Sequence, residues 1–273
     1  MENKPTVFNT GETPEELRAK YNPEGSVLRK AQLRMLDMLL YIDKVCREQG
    51  ISYRLDGGNI LGAVRHGGFI PWDDDVDIVV DMKNYRRLCK YLKTHPHPQY
   101  IFQNNSTDKN FHFWSCLRDT KSAYKTDRLE FENMDCRGVQ IDIFSYEQGL
   151  NPKLHRFADK LALHNILDVA GKHDRLAQLN YNILTYIIHP VFHVLSWLMG
   201  GNRNYMHSFG CGWYDLQFPP EVLLPHRHIM FEGHEFPGPA DPEQFLSILY
   251  HNYMDLPPED KRANHGDAIE IWD

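Results

Sequence analysis

Four of the five residues from Asp73 to Asp77 are aspartates, and they run directly into the apolar stretch Ile78-Val79-Val80. Carboxylates this close repel one another, and an ordered element tolerates the crowding when a cation neutralises it. Side chains along a strand alternate between faces, so a strand over 75–80 would place Asp75 and Asp77 on one side and Val76, Ile78 and Val80 on the other. The two acids would then stand about 7 Å apart at Cα, within joint reach of magnesium or manganese, hard cations that take oxygen ligands where zinc prefers nitrogen and sulfur. Asp73 and Asp74 fit a solvated turn equally well, because a loop before a strand commonly carries acids.

Upstream, Gly57-Gly58 follows the short alternating run Ile51–Leu55 and opens a segment, 59–65, that reads as one or two helical turns. Without Cβ atoms the glycines let backbone N–H groups approach a phosphate, and the helix would aim its positive end there. Downstream, Asp142 is a lone acid between Ile141 and Ile143, which suggests a third metal ligand; the plain alternative is an ion pair with Arg118 or Arg137. Phosphoryl transfer asks a protein mainly for this: metals to neutralise charge, and an acid able to take a proton from an attacking hydroxyl.

The net charge of −7 argues against a protein that coats nucleic acid. Five scattered cysteines without a C-x-x-C spacing suggest neither a disulfide framework nor structural zinc, and fit a cytoplasmic location. His226, His228 and His234 with Glu232 match no zinc spacing and read as packing or solvent-facing residues. No secretory signal is legible in Met1–Lys20. The most apolar stretch, Ile183–Met199, is broken by His189, Pro190 and His193 and is too short to span a bilayer. It is expected to be a packed helix or, at residues 180–200, one lying on a membrane surface.

The apolar spacing predicts a helix over 26–49 ended by Gly50, a second over 84–92, strands at 51–55, 75–80, 100–103, 111–118 and 139–144, and helices without strands over 151–200. The tail from Pro219 reads as loops plus one helix, 242–250. Helices added behind a sheet point to an α+β fold. The organisation expected is an N-terminal arm (1–25), a catalytic core (26–150), a helical insertion (151–218) and a C-terminal segment packing back on the core (219–273).

The run Leu55-Asp56-Gly57-Gly58, then 61–66, then Gly68-Phe69-Ile70-Pro71-Trp72-Asp73-Asp74-Asp75-Val76-Asp77-Ile78, resembles the signature of the LicD family, phosphotransferases related to fukutin. Residues 21–30, 139–144, 231–237 and 253–265, ending at His265, support the likeness, which spans about residues 21 to 266. It implies a polymerase-beta-like nucleotidyltransferase core, with Gly57 and Gly58 as the donor-phosphate turn, Asp75 and Asp77 as a metal pair and Asp142 as third carboxylate. Arg65 and His66, from the loop typical of the family, are implied to face phosphate, and Arg118 and Arg262 to balance donor charge. The implied reaction moves an alcohol phosphate such as phosphocholine from a CDP-alcohol donor to a sugar hydroxyl of a glycan or lipid-linked acceptor, releasing CMP with magnesium or manganese as cofactor. An aromatic contact to a choline headgroup is sought among Trp72, Trp114, Trp213 and Tyr214, with Trp72 favoured because it adjoins the acids. Two other enzymes compete: a nucleotidyltransferase that attaches a nucleotide monophosphate, and a glycosyltransferase whose D-x-D holds a nucleotide sugar. A noncatalytic glycan-binding protein is the third rival.

Overall fold

The computed structural model describes residues 7–126, 128–212, 216–262 and 268–272; Trp213, Tyr214 and His265 lie outside them. Helix α1 (Pro14–Tyr21) starts on a capping box, Thr13 Oγ1 accepting from the Glu16 N–H while Glu16 accepts from the Thr13 N–H. Helix α2 (Val27–Gln49) is capped by Ser26, whose Oγ accepts from the Arg29 N–H, and stops at Gly50 in the left-handed conformation, φ 57°. It fulfils the expected long helix, and its Met35, Met38, Leu39 and Ile42 are fully buried, each contributing about 2 kcal/mol by burial.

The chain continues through β1 (Arg54–Leu55), α3 (Gly57–His66), β2 (Asp77–Asp81), α4 (Met82–Thr94), β3 (Tyr100–Gln103), β4 (Ser115–Asp119), β5 (Ser122–Lys125) and β6 (Gln140–Gln148). Then come α5 (Pro152–Ala162), α6 (Asp174–Ile183) and α7 (His189–Leu198), with π-helical turns at 163–167 and 184–188, the second joining α6 to α7. The remainder is β7 (Tyr205–His207), α8 (Pro220–Leu223), β8 (Arg227–Phe231), β9 (His234–Gly238), α9 (Pro242–Tyr250) and β10 (Ala268–Ile271).

The central sheet has the order β1-β2-β6-β4-β3, and β7 pairs with the far end of β6. β2 and β6 are parallel and the other neighbours antiparallel, a mixed sheet with helices that agrees with the α+β expectation. The strand expected over 75–80 begins at Asp77, whose N–H is taken by Asn59 Oδ1 at 2.6 Å while the Val76 carbonyl still accepts from the Asp142 N–H at 2.9 Å. The strand expected over 111–118 begins at Ser115: the Asn110 side chain takes the His112 N–H, and Phe111 turns into an apolar cluster of the insertion. The tail holds the expected helix α9 but also a hairpin, β8–β9, whose turn residues Glu232 and Gly233 both have positive φ, as a tight primed turn requires.

One large apolar core lies about the sheet, α2 and α9. Two smaller clusters lie apart from it, one joining Phe111 to Ala162, Ile166, Ala177 and Leu184 and one joining Leu150 to Ala158, Phe192, Met206 and Phe209. Among the described residues no helix is long and apolar enough to cross a membrane.

Candidate active site

Asp56 stands at the N-cap of α3 yet caps nothing: Oδ1 accepts from Arg54 Nη1 at 2.6 Å and Oδ2 lies 2.8 Å from His207 Nε2. Burial alone would raise this carboxyl, but the Arg54 charge and the His207 bond hold it below the usual range. The first turn of α3 is thus left without a side-chain cap, and Gly58 lines a cavity of about 590 Å³. Gly57 has φ +48°, which favours glycine. A Cβ on Gly58 would stand 3.0 Å from Asp73 Oδ2, so the absent side chain is what lets the acidic loop approach the helix.

That loop is gripped by its carbonyl groups. Gln32 Nε2 donates to Asp73 O at 2.9 Å and to Ile70 O at 3.4 Å, Tyr124 Oη donates to Asp74 O at 2.9 Å, and Asn59 Oδ1 accepts from the Asp77 N–H at 2.6 Å. Three side chains from α2, α3 and β5 therefore fix where the aspartates point. None was singled out from the sequence. Gln32 carried the one legible signal, an amide on the apolar face of α2.

Asp77, Asp142 and Cys116 form a row across three strands, Asp77 paired in register with Asp142 and Asp142 with Cys116. Cys116 Sγ donates to Asp142 Oδ1 at 3.0 Å and Gln140 Nε2 donates to the same oxygen at 2.8 Å. Burial, then the charges of Asp75 and Asp142, push the Asp77 carboxyl well above the usual range. Burial raises Asp142 as well, against the Cys116 bond and the Arg118 charge. The acids are strung along two adjoining cavities. Asp75 and Asp77 line the larger; Asp75 and Asp142 line a smaller one of about 150 Å³ together with Arg118, Tyr124 and Trp114. Arg118, 1% exposed, donates from Nη1 to Gly138 O at 3.0 Å, and its Nε is buried without a partner among the described residues. Among the described residues no three His, Cys, Asp or Glu side chains enclose a common point by themselves. The carboxylates lining the two cavities are those of Asp73, Asp75 and Asp77 in the larger and Asp74, Asp75 and Asp142 in the smaller.

Arg65 and Trp72 line the large cavity. Arg65 Nη1 donates to the carbonyls of Tyr253 and Asp255, at 2.9 and 3.2 Å, and so ties down the C-terminal segment whose Tyr250, Tyr253 and Leu256 complete the wall. His66 does not line the cavity: its Nε2 accepts from Arg65 Nε at 2.9 Å and its ring lies against Phe8 and Trp72. Burial, then the charges of Arg65 and Arg18, push His66 down to about 3, so it is a neutral brace for Arg65. Arg262 is likewise bound elsewhere, Nη1 donating to Glu12 Oε2 at 2.6 Å while the guanidinium sits 5.5 Å from the Trp72 ring. Glu232, from the histidine-rich stretch, clamps the loop after α3 by accepting from the Phe69 N–H at 3.0 Å and from Arg29 at 2.8 Å.

Residues 50–165 match a family model described as LicD/FKTN/FKRP, nucleotidyltransferase domain. The chain is 27% identical over 260 residues to the lipopolysaccharide cholinephosphotransferase LicD of Haemophilus influenzae, covering 87% of this chain and 95% of that protein. It is 39% identical over 84 residues to the mouse ribitol 5-phosphate transferase FKRP, and 46% over 53 residues to the human protein; these cover 30% and 19% of this chain but only 16% and 10% of the relatives. The glycine turn, the acidic loop and the β2–β6 acid pair all fall within the matched residues, and the chain carries a LicD-type transferase domain over 50–165.

Proposed function

We propose that this LicD-type transferase moves an alcohol phosphate from a CDP-alcohol to a hydroxyl of a surface glycan or glycolipid, on a nucleotidyltransferase-type core, with magnesium or manganese as cofactor. The observation that carries the reading is the position of Asp75 between two cavities, with Asp77 beside it in one and Asp142 in the other. The names of the relatives support phosphate-group transfer, to lipopolysaccharide in one and with ribitol phosphate in the other.

The acid cluster fits a hard divalent cation: Asp77 is buried among negative charges that hold its pKa up, and no hydrogen bond from the described residues reaches its carboxylate. Asp75, Asp77 and Asp142 would hold the ion. Magnesium takes one or two carboxylates and completes its shell with water and substrate phosphate. Bound there, the cation would supply charge neutralisation on the pyrophosphate.

The chain's own groups do the rest. Gly58 offers its backbone N–H at a helix end without a side-chain cap to donor phosphate. Arg118 Nε, without a partner among the described residues and beside the acids, fits an oxygen of the transferring group. Asp142, its pKa raised, accepts the proton of the attacking sugar hydroxyl. A bond forms between that oxygen and the β-phosphorus, and the bond from the β-phosphorus to the CMP oxygen breaks. Trp72 offers an aromatic wall to the alcohol. The test is incubation with magnesium and a panel of CDP-alcohols. CMP release with the alcohol phosphate on the acceptor is expected; a nucleotide found on the acceptor overturns the reading in favour of nucleotidyl transfer.

The outer face of the insertion supports peripheral contact with a membrane. From Leu176 and Leu179 through Ile183, Tyr186, Ile187, Val191 and Val194 to Trp197 and Leu198, a helical stripe stays exposed, Tyr186 at 74% and Trp197 at 75%. Residues 152–203 carry six basic residues (Lys153, Arg156, Lys160, Lys172, Arg175, Arg203) against three acidic ones, a net of +3 on a chain of −7. An apolar stripe with interfacial aromatics beside basic residues suits an anionic lipid surface.

A further inference from the structure

An aspartate at a helix N-cap ordinarily turns its carboxylate onto the N–H of the second or third residue inside, and Asp56, ahead of α3, has Gly58 and Asn59 in those places. It caps neither. The Asn59 N–H goes instead to the Asp56 main-chain carbonyl at 3.0 Å, and the two carboxylate oxygens are taken by Arg54 Nη1 and His207 Nε2. Two charge-assisted bonds outweigh one cap, so the carboxylate stays turned away.

Both holders are themselves fixed. Arg54 is 1% exposed, its Cζ 5.6 Å from the Tyr146 ring centre and 5.0 Å from that of Phe245, and Nη1 also donates to Leu55 O at 3.1 Å. His207, at the end of β7, is 3% exposed, and its main-chain carbonyl accepts from His155 Nε2 at 2.7 Å. His155 Nδ1 lies 3.0 Å from Asp159 Oδ2, and Asp159 Oδ1 accepts from the Gly210 N–H at 3.0 Å. A buried polar chain therefore runs from α5 through β7 to the residue before the glycine turn.

The turn does not need the Asp56 side chain to stay in register with β2. The Asp56 N–H donates to Asp77 O at 3.0 Å and the Asp77 N–H to Asn59 Oδ1 at 2.6 Å, so backbone groups and Asn59 already tie it there. What the chain prevents is more telling. A released carboxylate turned onto the Gly58 N–H would occupy a donor on a residue that lines the large cavity, and would set a negative charge at the helix end an anion is drawn to.

We infer that Arg54 and His207 are positioning residues that hold Asp56 off the first turn of α3 and so keep the Gly58 N–H open to an anion. The inference rests on the donor reading above only for the identity of that anion, a phosphate of the donor.

The test uses the full chain with magnesium and inorganic pyrophosphate and, separately, with magnesium and CDP-choline, read by exchange of the Gly58 amide in NMR spectra and by calorimetry. In the parent this amide is expected to exchange fast without ligand and to slow with pyrophosphate; slow exchange in the ligand-free parent overturns the inference. His207→Phe keeps a ring against Phe144. It is expected to slow the ligand-free Gly58 amide and to weaken pyrophosphate by about tenfold, while His207→Gln, which keeps a donor, binds like the parent. Arg54→Met with Asp56→Leu removes the carboxylate and its counter-charge together, an exchange that buried ion pairs often tolerate. With no carboxylate left to cap, this pair is expected to bind pyrophosphate like the parent, and adding His207→Phe to it to change nothing further. Loss of pyrophosphate in the pair variant as deep as in His207→Phe shows a merely structural role and overturns the inference. Should the pair variant not fold, the Gly58 amide of His207→Phe decides alone, fast exchange there being the overturning result. Pyrophosphate behaving as expected while CDP-choline fails to bind leaves the positioning pair standing and removes the donor reading. CMP release by His207→Phe at the parent's KM for CDP-choline does the reverse.

Discussion

Asp77 and Asp142 sit directly opposite each other across the parallel β2–β6 pair, 65 positions apart in sequence and neighbours only in the fold. Adjacent strands lie about 4.8 Å apart, so two buried acids at that separation are stable together when one is protonated or a cation is shared. Asp77→Asn and Asp142→Asn are each expected to lower transfer on the order of a thousandfold. In cation-free buffer the same variants should melt no lower than the parent, because each removes a repulsion. A fall of many degrees for both, seen by calorimetry, would mean these acids serve packing and not chemistry.

The same crowding sets a pH dependence. A carboxyl whose folded pKa is raised holds its proton more tightly in the folded state, so the contribution of Asp77 is present below its unfolded value of 3.8 and is lost as pH rises through the folded one. With a chelator present, the parent is expected to lose more of its melting temperature than Asp77→Asn does as pH is raised from the usual carboxylate range, and magnesium should restore it. Equal curves with and without magnesium would count against a cation at the acids.

His66 works in the opposite direction. Its folded pKa is depressed to about 3 from 6.5, so below 6.5 the unfolded chain gains a proton that the folded one refuses. Stability is lost as pH falls through that window, by up to about 1.4 kcal/mol per pH unit. His66→Asn is expected to be less stable at neutral pH but to narrow the gap between about pH 7 and about pH 5; thermal melts at both values decide it.

Two glycines of α3 should fail differently. A Cβ on Gly62 would stand 2.3 Å from the Gly68 carbonyl oxygen, a backbone atom with little freedom to move, so Gly62→Ala should cost about 1–3 kcal/mol in denaturant titrations. On Gly58 the Cβ meets only the end of the Asp73 side chain, at 3.0 Å. Gly58→Ala should fold, while raising KM for the CDP-alcohol more than it lowers kcat.

The exposed stripe predicts flotation with vesicles containing anionic lipid and weaker flotation with purely zwitterionic ones. Replacing Tyr186, Ile187 and Trp197 by serine should abolish it without lowering the melting temperature, since all three are exposed. Undiminished flotation of the triple variant would sink the membrane contact.

Much of the site was legible because its signals are local. Ser26 and Gly50 bracket α2, Gly57-Gly58 opens α3, and the acids precede an apolar run. What local pattern could not show was which backbone groups would be claimed from afar. Asn59 takes the Asp77 N–H at the start of β2, while Arg54 and His207, 153 positions apart in sequence, both reach Asp56. The β8–β9 hairpin had a signal in Glu232-Gly233 between alternating apolar residues, but histidines and a proline obscured the period. His66 was read by its charge type, and burial removed that charge.

Because α5 to α7 bury their apolar residues in two small clusters apart from the main core, joined to the rest through Phe111 and Leu150, changes within those helices need not disturb the strand pair that carries Asp77 and Asp142. A graft of α5 to α7 between relatives is therefore expected to fold with Asp77 and Asp142 still in register, so that these helices can diverge while the acid pair stays where it is.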